Sequence, residues 1–285
     1  MNQKQILIVG ANGQLGKALK EKYPGAAAVD MESLDITDGK MVQSFNWKDI
    51  KYILNAAAYT NVDGAESKDG RILAWQVNAV GAANLAMTAQ PRDITLVHIS
   101  TDYVFDGRNK LHTETEPFSP LSVYGESKAA GDIAVSMIEN HYLLRTSWVI
   151  GEGKNFVRTM LDLASRGISP TVVADQVGRP TFTSTLVDCI DYLLSNKSEY
   201  GTYNISNAGD PVSWADLTRR IFVLNHSDNL TVTDTSTDEY FAAKPDSAPR
   251  PLNSMLDLSK IESIGFKPRD WQTDLENYVN KELRK

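Results

Sequence analysis

Tyr124 and Lys128 lie in the run Val123-Tyr124-Gly125-Glu126-Ser127-Lys128. On a helix, residues four apart share a face, so this spacing sets an ammonium beside a phenol. A neighbouring positive charge favours the phenolate and lowers a tyrosine pKa from its usual value of about 10. The pair therefore predicts an acid or base usable near neutral pH. Tyr and Lys also fall four apart on many solvated helix faces. The spacing gains chemical meaning only from what the rest of the chain brings to it.

Thr101, within His98-Ile99-Ser100-Thr101-Asp102-Tyr103, puts a hydroxyl at the end of an apolar run. At a sheet edge it can donate to a carbonyl oxygen beside Tyr124; its other reading is a cap on the next turn. Gly10-Ala11-Asn12-Gly13-Gln14-Leu15-Gly16 leaves the first apolar run and opens a helical pattern. Such glycines permit a tight turn, close approach of backbone to phosphate, and close helix-to-strand packing. The helix start adds free N–H groups and a positive dipole end for a pyrophosphate. The spacing is G-x-x-G-x-x-G, not the commoner G-x-G-x-x-G.

Asp30 stands twenty residues after Gly10 at the end of the second apolar run. A carboxylate there accepts from the adenosine ribose hydroxyls and repels a 2′-phosphate. No Arg or Lys follows between Met31 and Asp38, so the reading leans to NADH over NADPH. The alternative is a simple turn residue. Ala56, Ala57 and Ala58 follow Asn55 at the end of the third apolar run, where small side chains let backbone pass close to a cofactor. Packing alone also favours small residues there.

The elements that must position these groups follow from the apolar pattern. Ile6–Val9, Ala27–Val29, Tyr52–Leu54, Thr95–Ile99 and Leu143-Leu144 are short apolar runs separated by helical stretches. Such runs predict a parallel sheet covered on both faces. The expected fold class is α/β, a doubly wound parallel sheet (Rossmann fold) with a smaller mixed α/β C-terminal substrate domain. After about Trp148 the pattern predicts a helix over Phe156–Arg166, a strand over Thr171–Val173 and a helix over Ser184–Ser195. A strand at Tyr203–Ile205, a helix over Ser213–Leu224 and a last helix from Trp271 complete it. We expect a nucleotide-binding domain over 1–148 and a mainly substrate-binding domain over 149–285, with some of its segments returning to the first.

The bulk numbers exclude several classes. A formal net charge of −7 over 285 residues argues against nucleic acid or an anionic membrane as partner. The single cysteine, Cys189, sits on an apolar helical face and reads as a core residue. With no signal-like or membrane-spanning stretch, cytoplasm is the expected location.

With the glycine loop, Asp30, Thr101, Tyr124 and Lys128 in that order, the chain resembles the extended short-chain dehydrogenase/reductase family. The resemblance narrows to the dTDP-4-dehydrorhamnose reductases through Ser100-Thr101-Asp102-Tyr103-Val104-Phe105, Arg145-Thr146-Ser147-Trp148, Asn155-Phe156 and Asp175-Gln176. Pro180-Thr181, Arg250-Pro251, Asn253-Ser254 and Asp270-Trp271-Gln272 extend it. It implies that hydride from NADPH or NADH reduces C4 of a dTDP-keto-sugar. Tyr124 then protonates the oxyanion, Lys128 binds the nicotinamide ribose and tunes Tyr124, and Thr101 polarises the carbonyl. Among the implied cofactor contacts are also Asn12, Gln14, Leu15, Asp35, Ile36 and Tyr59. The implied substrate contacts are Asp102, Trp148, Asn155, Asp175, Arg179, Arg250 and Asn253, the arginines having interdomain ion pairs as their alternative.

One departure bears on assembly. Members that form magnesium-bridged dimers carry glutamates where this chain has Ala18 and Ser184. Neither is a good ligand for a hard cation, so we expect no metal site and a monomer or a weak, metal-independent dimer. Asp63 and Glu66 look like an acid pair but are expected to stabilise a helix N-terminus. Two other functions compete. A 4,6-dehydratase of this type needs an acid where Tyr103 stands, and a 4-epimerase would show no net oxidation of NADH. A non-catalytic NAD(P)-binding regulatory subunit would bind without turnover.

Overall fold

The computed structural model describes residues 1–242, 244 and 246–284. Its first half alternates as the apolar pattern requires: β1 (Ile6–Val9), α1 (Gln14–Lys22), β2 (Ala27–Val29), α2 (Gly39–Ser44), β3 (Tyr52–Asn55), α3 (Lys68–Trp75), α4 (Ala82–Ala89), β4 (Thr95–Thr101), α5 (Val123–Ser136) and β5 (His141–Thr146). The second half holds β6 (Val149–Ile150), α6 (Phe156–Ser165), β7 (Thr171–Val173), β8 (Val177–Gly178), β9 (Thr181–Phe182), α7 (Thr183–Asn196), β10 (Gly201–Asn204), β11 (Val212–Ser213), α8 (Trp214–Leu224), β12 (Thr233–Thr235), α9 (Thr237–Phe241), α10 (Ser259–Ser263) and α11 (Trp271–Leu283).

A six-stranded sheet in the order β10-β5-β4-β3-β1-β2 runs through the molecule. All its pairings are parallel. β1 and β5 are buried along their whole length, which is why β1 reads as an unbroken apolar run rather than an alternating one, while β5 also buries His141, Arg145 and Thr146. The chain winds outward from β1 in both directions, so the strand order reverses between β1 and β3. A crevice opens at that point, above the carboxyl ends of the strands.

Two cores sandwich the sheet. On one face Leu15 and Leu19 of α1 meet Leu186, Ile190 and Leu193 of α7. On the other, Leu85 and Ala86 of α4 meet Val135 of α5. The strand expected at Tyr203–Ile205 spans Gly201–Asn204 and pairs with β5. Thus β10 completes the central sheet and α7 covers one face of it, although both follow β6 to β9 in the chain. A third core gathers Val157, Leu217, Phe222, Trp271 and Leu275 beneath the short β pairs of the second half.

α3 and α4 form one rod whose middle, Gln76–Gly81, is a π-helical turn. Such an inserted turn re-aims side chains and often marks a functional site. Here it delivers Asn78, whose amide accepts from Tyr59 N–H at 2.9 Å and donates to Tyr59 carbonyl at 3.1 Å. That clamp fixes the loop following β3. α5 starts at Ser122, whose hydroxyl caps Gly125 N–H, while Glu66 accepts from Val123 N–H at 2.9 Å. Glu66 therefore does serve a helix N-terminus, that of α5. Asp63 stands at the N-cap of the short 3-10 turn Gly64–Glu66 without a side-chain cap bond there; its carboxylate accepts from Arg250 Nη2 at 2.8 and 2.9 Å. Among the described residues, no helix is long and apolar enough to cross a membrane.

Candidate active site

The glycine loop owes its shape to two backbone approaches. Gly10 has φ +77°, and a Cβ there would lie 2.6 Å from Ala57 N. A Cβ on Gly16 would lie 2.1 Å from Gly10 O. Side chains at either position would push α1 off the sheet. Gly13 caps α1 with no such crowding, leaving the helix start open to an anion. Asp30 Oδ2 accepts from Asn12 N–H at 2.8 Å, so the carboxylate at the end of β2 is tied directly to the loop. Asp35 accepts from Thr37, and Ile36 packs under Gly81 of the π turn.

A cleft of about 620 Å³ lies at the switch point, lined by Gly13, Gln14, Ala56 to Ala58, Thr101, Tyr124 and Lys128 among others. β4 delivers Thr101, α5 delivers Tyr124 and Lys128, and the end of β3 delivers the alanines. The structure thus brings every proposed catalytic residue and the heart of the glycine loop into one space. The cradle of close backbone fits a dinucleotide pyrophosphate.

The electrostatics differ from what the Tyr/Lys spacing predicts. Burial pushes the Tyr124 phenol well above its usual range, and the Thr101 hydroxyl beside it only partly offsets this. Lys128 does not lower it: its Nζ donates to the Ile99 carbonyl at 2.6 Å and lies 3.4 Å from His98 Nε2. A phenol held in its protonated form is a donor rather than a base. Lys128 itself is 1 % exposed, and burial brings its pKa down to about 8 against the opposing pull of Asp132. Asp132 is in turn paired with Arg145 of β5 at 3.1 Å. Asp102 is pushed up to about 6 by burial, although the Ser254 and Thr101 hydroxyls favour its charged form.

The wall facing Tyr124 is aromatic. Trp148 stands at φ +48°, a left-handed conformation unusual for a bulky residue. Its indole stacks on Trp214 with centroids 3.5 Å apart. It also lies against Gly178, where a Cβ would meet the ring at 2.9 Å. Trp214 is fixed by its Nε1–H donating to Gln176 Oε1 at 3.2 Å and by Phe156 at 4.4 Å. Tyr103 packs edge-on to Tyr124 with centroids 5.5 Å apart.

Other residues expected at the substrate are engaged with protein groups instead, and none of them lines the cleft. Asn155 caps α6 and donates to Gly151 carbonyl. Asp175 accepts from Thr237 N–H and hydroxyl. Arg179 donates to the Leu256 carbonyl and Asn253 to that of Asn109. Arg250 holds Asp63 and stacks over Phe241 at 4.4 Å. Each is a polar side chain in or beside a loop, and loop backbone is the commonest partner for such groups.

Trp214 and Lys154 also line the cleft, and no motif in the sequence marks either. Trp214 follows Ser213, the N-cap of α8, so a helix start was legible there but not its outlook. Ala18 and Ser184 face a separate groove of about 630 Å³ between α1 and α7. A methyl and a hydroxyl do not fit a magnesium ion, which prefers carboxylate oxygens. Among the described residues, no three His, Cys, Asp or Glu side chains come together as a metal site.

A doubly wound parallel sheet with a glycine loop, an acid at the end of β2 tied to that loop and a Thr/Tyr/Lys set at its switch point defines the extended short-chain dehydrogenase/reductase class. Comparison with known proteins narrows this. The chain belongs to the family described as RmlD substrate binding domain, which matches residues 4–284. It is 39 % identical to a dTDP-4-dehydrorhamnose reductase of Aggregatibacter actinomycetemcomitans, over 96 % of this chain and 97 % of that one. The crystal structure of a dTDP-4-dehydrorhamnose reductase from Clostridium acetobutylicum superposes with a TM-score of 0.91 at 37 % identity, covering 98 % of this chain and 99 % of that one. The Bacillus anthracis dTDP-4-dehydrorhamnose reductase in complex with NADP gives 0.89 at 36 % identity, covering 97 % and 98 %.

Proposed function

We propose that this chain reduces the C4 keto group of dTDP-4-dehydro-L-rhamnose with NADPH or NADH, giving dTDP-L-rhamnose for cell-surface polysaccharide synthesis. The observation that carries the reading is the burial of a protonated Tyr124 phenol against Thr101 in the cleft that also holds the glycine loop. A bound reduced nicotinamide dinucleotide supplies the hydride. Gly10 to Gly16 and the start of α1 take its pyrophosphate, and Asp30 takes its adenosine ribose hydroxyls, which favours NADH. Lys128 turns its remaining donors to the nicotinamide ribose.

Thr101 and Tyr124 meet the substrate carbonyl oxygen together. As negative charge grows on that oxygen, Tyr124 gives it a proton and Thr101 a hydrogen bond. Such positioned proton transfer contributes about 10²–10⁴-fold in rate. Trp148, held by Trp214, packs against the sugar ring. The second half supplies this wall and serves mainly as the substrate domain. We place the enzyme in the cytoplasm, as a monomer or a weak dimer that needs no metal.

The test is absorbance at 340 nm with dTDP-4-dehydro-L-rhamnose and each dinucleotide in turn. Stoichiometric oxidation of the dinucleotide with formation of dTDP-L-rhamnose is expected. Epimerised or dehydrated sugar without net oxidation would assign a sister activity. Dinucleotide binding without turnover on any dTDP-, UDP- or GDP-4-keto sugar would leave a binding subunit.

A further inference from the structure

The charged residues lining the cleft are Asp102, Lys128 and Lys154. Asp102 is 2 % exposed and Lys128 1 %. Both are held by protein groups, Asp102 by the Thr101 hydroxyl and Lys128 by the Ile99 carbonyl. Lys154 is exposed, and among the described residues it has no hydrogen-bond or ion-pair partner. The cations around it are engaged: Lys17 with Glu152 at 3.5 Å, and Arg158 with Glu282 at 2.9 Å. The cleft thus offers solvent one unpaired ammonium, and neither the glycine loop nor the Thr/Tyr/Lys set accounts for it.

Lys154 stands on a loop whose backbone is fixed on both sides of it. Gly151 N–H donates to Gln14 Oε1 at 2.8 Å, which ties the loop to the first residue of α1. Glu152, through its pair with Lys17, adds a second tie one turn further along that helix. Gly153 takes φ +123°, a conformation that favours glycine, and a Cβ there would lie 3.7 Å from Gln14 Cγ. Asn155 Nδ2 donates to the Gly151 and Gly153 carbonyls at 2.8 and 3.2 Å, and Arg158 Nη1 to that of Gly153 at 3.1 Å. The loop therefore rests on the helix start that faces a pyrophosphate. It also follows closely on Trp148, so Lys154 shares the cleft with both the glycine loop and the aromatic wall.

We propose that Lys154 is a diphosphate-binding residue of this cleft, its ammonium pairing with the diphosphate bridge that the dinucleotide and the sugar nucleotide both carry. This rests on the reductase reading given above, which brings both diphosphates into the cleft. With a formal net charge of −7, the chain as a whole repels such ligands, and a local cation at the cleft offsets that repulsion. The N–H groups of the glycine loop meet a phosphate as neutral donors; Lys154 adds the charge they lack. A lysine suits the task, because a compact ammonium on a flexible stem follows phosphate oxygens without demanding one planar geometry. The fixed loop beneath it confines the ordering on binding to the side chain itself.

Lys154→Met removes the charge, keeps most of the stem and breaks no hydrogen bond or ion pair of the fold. Calorimetric titration of the full chain with NADH and with dTDP reads the two diphosphates separately. Ligand-observed NMR with thymidine supplies a control without phosphate. A loss of about tenfold in dTDP affinity with thymidine unchanged assigns Lys154 to the sugar nucleotide, and the same loss for NADH assigns it to the dinucleotide. In either case Lys154→Arg should restore most of the affinity, and the fall of affinity with added salt should be shallower in Lys154→Met than in the wild-type protein. The KM for the affected ligand should rise with kcat near its wild-type value. Affinities for both NADH and dTDP within about twofold of wild type, the effect of a merely solvated lysine, overturn the proposal. So does thymidine weakened as much as dTDP, since that loss would owe nothing to phosphate. A wild-type protein that binds NADH but neither dTDP, UDP nor GDP would sink the sugar-nucleotide reading, while the NADH titration still decides on Lys154.

Discussion

The indoles of Trp148 and Trp214 lie face to face, 3.5 Å between centroids and 15° from parallel. One comes from the loop after β5, the other from the first turn of α8, so the contact joins the nucleotide-binding sheet to the second half of the chain. Trp148 needs that support. Its left-handed backbone, φ +48°, costs a non-glycine residue roughly 1–2 kcal/mol, and aromatic stacking returns about 0.5–1.5 kcal/mol beyond burial. The stack and Gly178 therefore set where the cleft wall stands.

Removing the outer ring should loosen the wall without touching the proton donor. We expect Trp214→Leu to raise the KM for the keto-sugar nucleotide about tenfold, a loss of about 1.4 kcal/mol. Its kcat should stay within about threefold and its dinucleotide affinity should not change. Steady-state kinetics check this. A fall in kcat at constant KM would mean that the wall orients the carbonyl instead of holding the sugar.

Tyr124→Phe deletes one oxygen from a residue that is 9 % exposed and packed against Tyr103. The ring and its packing remain, so folding and dinucleotide affinity should survive. Turnover should fall by about 10²–10⁴-fold. Single-turnover dinucleotide oxidation measures the loss, and a variant retaining most of the rate would remove Tyr124 from the role of proton donor.

Asp30 is bound to the glycine loop at the end of β2. Because Asn12 N–H donates to it, Asp30→Ala should weaken both dinucleotides by freeing the loop. NADH should suffer more, because only there does the carboxylate gain ribose hydroxyls without meeting a 2′-phosphate. Fluorescence titration gives both dissociation constants. If their ratio is the same as in the wild-type protein, Asp30 does not read the ribose.

The parts legible in the sequence are those fixed by local rules. A glycine that must take positive φ, such as Gly10, and two side chains one helical turn apart, such as Tyr124 and Lys128, can be placed from spacing alone. Short apolar runs announce a sheet covered on both faces, and the match is close from Ile6 to Thr146. Long-range choices are not written in spacing. Lys128 turns to Ile99 and His98 rather than to the phenol because β4 passes beneath it, and no helical periodicity contains that fact. Asn155, Asp175 and Asn253 are polar residues in or beside loops, and only the folded backbone decides whether such a group faces a ligand or a neighbouring protein group. The π turn that aims Asn78 at Tyr59 adds a residue to a helix with no compositional signal at all.

Asp102 links stability to pH with a definite sign. Burial raises its pKa to about 6, above the value of about 3.9 it has when unfolded. As pH rises, the unfolded chain gives up this proton first, so the native state holds more protons between about pH 4 and 6. Native stability falls across that window, by up to about 3 kcal/mol, and stays lowered above it. Asp102→Asn carries no charge at any pH and escapes the penalty. Thermal melts should therefore show the variant gaining on the wild-type protein between pH 4 and 6 and holding a constant lead from pH 6 to 8. A lead independent of pH would show that Asp102 ionises in the fold as easily as in water.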